Sequence, residues 1–578
     1  MKDQRGAAPA GRHAHPSSAL GSPVKFLRTA LVPVLALALG AHSARAQLPD
    51  SIRSRVDAVL ARWDRTDSPG CALGISQAGR AVYSRGYGMS DLQHALAITP
   101  TSIFHVASIS KEFAAYSVAL LAEDGRLSLD DDVRKYVPEI PDYGQKITIR
   151  HLIQHTSGLR DQWQLLGYAG WREDDVITER DVLGIVSRQK GVNFRPGDEY
   201  LYSNTGYTLL AVIVHRVSGK TLRAFSEERI FAPLGMRDTH FHDDHTMIVP
   251  HRTSAYQPRD SGGWMISIPV FDTYGATSLF TTAGDLLKWM ANLDAPGVGS
   301  RALVDAAQKS AVLNSGSLTG YGYGLTIGKY RGLTAIGHGG ADAGYRAQAE
   351  RYPEREIAIA VLCNASIAGP GVLLRNVADV LLGTSAPPQV VSIDTIPRTV
   401  SPAVTQRWVG TYRDTVSQQV MRVHVSGDSL LLGDGRSLVT TSDTTARMGV
   451  SANALVLRTS GGAVTGITQL PRTTRALDFR REESFTPDRA ALTSYTGSFY
   501  SDELDVRYEI TLGDSALVMH NRKLDDEKLT PAFRDAFTVG FGATFPFGRD
   551  RAGKVTGFTI TDGRVRGVRF DRERAGVR

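Results

Sequence analysis

The 578-residue chain has only two cysteines, Cys71 and Cys363. Two cysteines cannot build a disulfide framework, and neither belongs to a C-x-x-C pair, so a disulfide-stapled scaffold and a cysteine-ligated zinc site are both excluded. They read as small buried core residues. There is no glycine-rich phosphate loop and no dinucleotide-binding fingerprint, and no cofactor is implied. No run of Lys and Arg interleaved with aromatics occurs, so nucleic acid is not an expected partner. The basic excess is local. Of 66 basic and 59 acidic residues, six basic ones (Lys2, Arg5, Arg12, Lys25, Arg28, Arg45) and Asp3 fall within residues 1–46, leaving 60 against 58 in the rest. Long apolar runs are absent beyond that point, where no segment reaches the roughly 20 residues a membrane helix needs.

What is present fits an exported globular protein. Hydrophobic residues make up 42% and charged residues 22%, which argues against disorder. The length calls for two or more domains. Residues 1–46 read as a signal peptide, because Lys25 and Arg28 precede the apolar stretch 30–39 and Ala44-Arg45-Ala46 offers a small-x-small cleavage site before Gln47. The stretch is short for a span. Cleavage is therefore expected over an uncleaved anchor, giving a periplasmic or secreted protein with no stable membrane span.

Spacing and punctuation organise the rest. A helix is expected over 52–65, then strands over 71–77 and 81–86 joined around Gly79. A helix beginning at Ser108 should end at Gly125. Helices and Gly/Asp/Pro-rich loops fill 130–310, followed by strands at 322–329, 333–337, 346–352 and 357–363 and a helix over 371–382. Strands at both ends with helices between predict one α+β domain over 47–385, whose sheet draws strands from both chain ends. Residues 386–402, with Pro387, Pro388, Pro397 and Pro402, read as a linker. Short alternating strands over 403–578 predict an antiparallel barrel or sandwich. Trp408-Val409-Gly410-Thr411-Tyr412 is echoed by Tyr495-Thr496-Gly497-Ser498-Phe499, which suggests two repeats, 403–485 and 488–578.

Three short motifs carry chemistry. Ser108-Ile109-Ser110-Lys111 puts a serine and a lysine three residues apart, on one face of a helix start, where the amine can reach the hydroxyl. S-x-x-K recurs at Ser22–Lys25 and Ser187–Lys190, so the motif alone says little. Its companions are singular. Tyr202-Ser203-Asn204 is the one Y-x-N, expected on a loop before a helix over 206–217, and His338-Gly339-Gly340 is the one H-x-G, expected to open the late strand group.

In that order the three motifs resemble those of the penicillin-binding protein/class C β-lactamase group of serine hydrolases. Residues 152–159 (Leu-Ile-Gln-His-Thr-Ser-Gly-Leu) and 231–239 (Phe-Ala-Pro-Leu-Gly-Met-Arg-Asp-Thr) are similar to further signatures of the group. The resemblance covers about residues 50–382 and implies an antiparallel sheet with helices on both faces, a helical subdomain, and a site between them. It implies Ser108 as an acyl-forming nucleophile, Lys111 and Tyr202 as the proton-handling pair with the base left open between them, and Asn204 bonded to Lys111 and a substrate amide. The backbone N–H groups of Ser108 and Ala341 would form the oxyanion hole, with Gly339 and Gly340 giving access. His338 departs from the lysine common at its position, and a neutral histidine weakens recognition of a substrate carboxylate. Gln162 and Trp163 are expected to line the site. The resemblance also makes the first and last long strands of the sheet neighbours, so a Cys71–Cys363 disulfide is conceivable.

The expected partner is a small-molecule or peptide acyl donor: an ester, an amide, a D-amino-acid peptide or a β-lactam. A sensor that acylates without turnover, or a binding module centred on the C-terminal barrel, are the alternatives. That barrel resembles lipocalin-like modules and is expected to be filled by its own side chains. His240, His242, Asp243, Asp244, His245 and His251 match no tetrahedral metal spacing and read as a polar loop.

Overall fold

The computed structural model describes residues 47–383, 400–433, 435–448, 454–470, 476–521, 523–540 and 542–574. The expected signal peptide lies outside the described residues, as does the expected linker apart from 400–402. Among the described residues no helix is long and apolar enough to cross a membrane.

Six strands form the central antiparallel sheet: β1 (Cys71–Gln77), β2 (Arg80–Tyr87), β3 (Thr326–Tyr330), β4 (Leu333–Asp342), β5 (Tyr345–Tyr352) and β6 (Ile357–Cys363). Their order is β3-β4-β5-β6-β1-β2, so the two chain ends of the domain meet in the middle of the sheet. The β1–β2 turn places Ala78 and Gly79 at φ +49° and +71°, the double left-handed turn that suits a twisted hairpin.

Alternation along β1 and β6 sorts the two faces. Leu73, Ile75, Ile359 and Val361 pack with Val56 and Leu60 of the Asp50–Leu60 helix and with Leu374 and Val377 of the Pro370–Leu382 helix. The other face is lined by small residues, Ala72, Gly74, Ala358 and Ala360, because the Ala283–Asp294 helix lies close. A Cβ on Gly74 would stand 3.1 Å from Leu287 and 3.2 Å from Ala283. Cys71 pairs with Cys363 in the β1–β6 register, and a disulfide joins them. The reading of two separate core thiols is thereby corrected: residues 292 apart in sequence meet because the sheet brings both ends of the domain together.

The late strands also need a correction. His338, Gly339 and Gly340 do not open the strand group but lie inside the ten-residue β4, paired with Ala349, Gln348 and Ala347 of β5, just past the point where pairing with β3 ends at Gly337. Glycines are poor strand formers, and here close packing selects them. A Cβ at Gly337 would meet the Ala349 carbonyl oxygen at 2.0 Å.

Two eight-stranded β units follow. The first runs from Gly410–Asp414 to Leu477–Glu482, and a bridge between Leu431 and Ser437 links its two edge strands. The second, Gly497–Ser501 through Val565–Arg572, is a closed barrel. Its buried residues include Phe499, Tyr508, Phe545, Phe547, Phe558 and Phe570, with Phe558 stacked on Phe570 at 4.7 Å. Each unit begins with a short helix and a glycine packed against an arginine from its last strand. Arg481 donates to the Val409 carbonyl beside Gly410, and Arg572 donates to the Thr496 carbonyl beside Gly497.

The closed barrel docks on the hydrolase-like domain through buried polar bonds. Arg160 donates to Glu503 at 2.6 Å, both side chains being under a tenth exposed, and to the Arg566 carbonyl at 3.0 Å. Glu503 also accepts the Lys190 backbone N–H at 2.8 Å. Removing one partner of a buried ion pair leaves the other charge uncompensated, which costs about 3–5 kcal/mol. Glu503→Ala should therefore destabilise the protein by that order in urea unfolding, while Arg160→Met/Glu503→Leu should cost clearly less. Equal losses in the two variants would refute this account of the docking.

Candidate active site

A cavity of about 1190 Å³ opens beside Ser108 and is lined by Tyr202, Asn204, His338, Gly339, Gly340 and Ala341, among others. Seven of the nine site residues expected from sequence therefore share one wall system, and Lys111 lies directly behind it. Gln162 does not line the cavity. It is fully buried with both amide atoms unpartnered, and its neighbour Trp163 faces the cavity instead.

Ser108 is presented by a strained turn. The strand Phe104–His105 leads through Val106 into Ala107, whose φ of +47° is costly for a residue with a Cβ, and a 3₁₀ turn then passes into the Ser110–Glu123 helix. Ser110 holds this turn. Its hydroxyl donates to the Ala107 carbonyl at 2.5 Å and accepts the Leu279 N–H at 2.9 Å. β4 presses on the turn so closely that a Cβ at Gly340 would meet the Val106 carbonyl oxygen at 2.1 Å.

Lys111 is wholly buried. Its amine lies 3.1 Å from Ser108 Oγ and donates to Asn204 Oδ1 (2.9 Å) and the Ala276 carbonyl (2.6 Å). Burial holds its pKa well below the ordinary lysine value, with the Asp161 and Asp342 carboxylates only partly opposing this. The amine also lies 4.8 Å from the Tyr202 ring centre. Burial pushes the Tyr202 phenol in the opposite direction, well up, with Ser108 drawing it slightly back. The Tyr202 oxygen has no hydrogen bond of ordinary geometry.

Asn204 opens the Asn204–Ser218 helix, where the sequence placed a loop ahead of a later helix start. Asp161 fixes it. One carboxylate oxygen accepts both the backbone N–H (2.7 Å) and the amide N–H (2.8 Å) of Asn204, which turns Oδ1 toward Lys111. The other oxygen caps the Gln162–Tyr168 helix through the Trp163 N–H at 3.0 Å. Sequence reasoning passed over Asp161, because an Asp before a helix already has a sufficient explanation as a cap.

His338 is also buried. Nδ1 donates to the Gly339 carbonyl at 2.5 Å, and Nε2 accepts from Tyr321 at 3.0 Å, an assignment that follows from the carbonyl being an acceptor only. Burial, then nearby Lys111, lowers its pKa to about 4, so the ring is neutral at neutral pH. His155, its ring tilted against that of Tyr202 with centres 4.2 Å apart and accepting the Ser203 N–H at 3.1 Å, stiffens the Tyr202 segment. His240 and His242 pack against Phe280, away from the surface group of Asp244, His245 and Asp272.

A serine hydroxyl at a strained turn, an amine whose charged form burial disfavours and a phenol beside both suit acyl transfer. The beta-lactamase family model matches residues 55–383. The chain is 25% identical over 514 residues to a D-aminopeptidase of Brucella anthropi, across 85% of this chain and 93% of that protein. It is 26% identical over 367 residues to penicillin-binding protein 4* of Bacillus subtilis, across 60% of this chain and 80% of that one. The octameric penicillin-binding protein homologue of Pyrococcus abyssi shares the fold, with a TM-score of 0.54 and 23% identity over 74% of this chain and 98% of that chain. The chain belongs to the beta-lactamase family, and it is a serine hydrolase.

Proposed function

We propose that the protein hydrolyses small amides or esters through an acyl-enzyme on Ser108. The observation that carries this reading is the Lys111 amine, buried, depressed in pKa and 3.1 Å from Ser108 Oγ. A neutral amine can accept the serine proton as the hydroxyl attacks the carbonyl, so Lys111 is the base and Tyr202, held protonated by burial, is the acid that serves the leaving group. The N–H groups of Ser108 and Ala341 receive the oxyanion. Water then attacks the ester, and the same pair handles the protons in reverse. The D-aminopeptidase of Brucella anthropi aligns over 93% of its length and 85% of this chain, so amides of D-configured acyl groups are the first substrates to examine.

Purified protein should hydrolyse p-nitrophenyl acetate with a burst and a transient Ser108-dependent gain in intact mass, and Ser108→Ala should lose at least about a thousandfold in kcat. A persistent adduct without steady-state turnover would replace the hydrolase reading with a sensor. Equal activity in Ser108→Ala would remove Ser108 from the chemistry.

The sign of the pH dependence follows from Lys111. Its neutral form is the active one, so kcat/KM should rise with pH through the depressed lysine pKa, and the midpoint should lie well below 10.5. His338 should stay neutral by NMR down to about pH 4. A limb at the ordinary lysine value would rule out Lys111 as the base.

A further inference from the structure

The cavity has a wall that does not come from the hydrolase domain. The last hairpin of the closed barrel, between the strands Val555–Asp562 and Val565–Arg572, turns at Gly563 and Arg564, and Arg564 enters the cavity that holds Ser108. Its backbone is pinned there. The Arg564 carbonyl accepts the Asp161 N–H at 3.2 Å and the Asn193 amide at 2.8 Å, and Asn193 in turn accepts the Arg566 N–H at 2.8 Å. On the other side of the tip, Tyr168 donates to Asp562 at 2.8 Å.

The side chain is held but not used up. The guanidinium lies over the Tyr202 ring, 4.8 Å from its centre, and 3.9 Å from an Asp161 oxygen. That carboxylate already accepts three N–H groups from Asn204 and Trp163, and Arg564 makes no side-chain hydrogen bond to it. Asp161 is buried, whereas the Arg564 side chain is 43% exposed. A planar fork of free donors beside a nucleophile matches a carboxylate, which it can bind through two parallel bonds.

Among the described residues, no other cation on the cavity wall stands as clear of competing partners. His338 is neutral and bonded at both ring nitrogens. Arg346 is half-buried, with one Nη bonded to the Ala343 and Tyr345 carbonyls and the Asp342 carboxylate opposing its charge, and Arg172 is paired with Asp174 and Asp175.

We propose that Arg564 is a specificity-determining residue that binds a carboxylate on the acyl group of the substrate, close to the scissile carbonyl. The proposal rests on the acyl-enzyme reading. The fixed cation absent at position 338 is supplied from the barrel, and the barrel is a working part of the active site.

The test compares three p-nitroanilides with acyl groups of similar size, succinyl (anionic), butyryl (neutral) and β-alanyl (cationic), on the full chain. The readout is kcat/KM, or competitive Ki against p-nitrophenyl acetate where turnover is slow. The native protein should favour succinyl over both others, and 0.5 M NaCl should erode that preference. Arg564→Gln should cut the succinyl-to-butyryl ratio about tenfold or more, Arg564→Lys should retain part of it, and Arg564→Glu should invert the succinyl-to-β-alanyl preference. A native preference for β-alanyl, or variants in which all three substrates fall together, would overturn the proposal. A Ser108-dependent burst with unchanged ratios would sink Arg564 alone. Loss of the Ser108-dependent burst itself would sink the reading beneath it.

Discussion

An amine buried without a contacting carboxylate is the constraint on which the site depends. A charged lysine at that depth would carry a desolvation penalty of several kcal/mol, so burial favours the uncharged form of Lys111, whose two hydrogens go to the Asn204 and Ala276 oxygens while the lone pair is left for the Ser108 hydroxyl. Ser108 and Asn204 are placed by separate structural causes. Ser108 is set by the strained turn that Gly340 and Ser110 brace, and Asn204 is turned by Asp161. The space behind the helix is sealed by Gly324, where a Cβ would come within 2.6 Å of Glu112 and Lys111 backbone atoms. A depressed lysine pKa and the need for glycine at two positions are thus consequences of one burial.

The hydrolase domain does not complete this arrangement alone. Asp161 orients Asn204 with its carboxylate and meets the barrel with its backbone N–H, so one residue touches both the Asn204 amide and the Arg564 carbonyl. Next to it, Arg160 closes the buried bond to Glu503. Docking and chemistry therefore share a two-residue segment, and a displacement of the barrel would be felt at Asn204 before it reached Ser108.

Much of this was legible in the sequence. Helical spacing put Lys111 on the face of Ser108, and the single Y-x-N and H-x-G companions located the rest of the wall. The sheet with strands from both chain ends followed from the order of apolar runs. Tertiary information was out of reach. β4 runs through His338-Gly339-Gly340 because β5 pairs with it there, against the local propensity of its glycines. Gln162 and Trp163 differ by one helical position, and only packing decides which faces the cavity. Arg564 stands at the turn before the strand Val565–Arg572, and nothing local reveals where that turn docks.

The Cys71–Cys363 bond makes residues 71–363 a covalent ring that contains Ser108, Lys111, Asp161, Tyr202, Asn204 and His338. A protease that nicks any loop inside the ring leaves two fragments still tethered, with the nucleophile and its amine on one molecule. Arg564 hangs outside the ring on a single thread of backbone. One cleavage anywhere between Cys363 and Arg564 severs the covalent link between the residue proposed to choose the substrate and the residues proposed to react with it, whereas under oxidising conditions no single cut inside the ring has that effect.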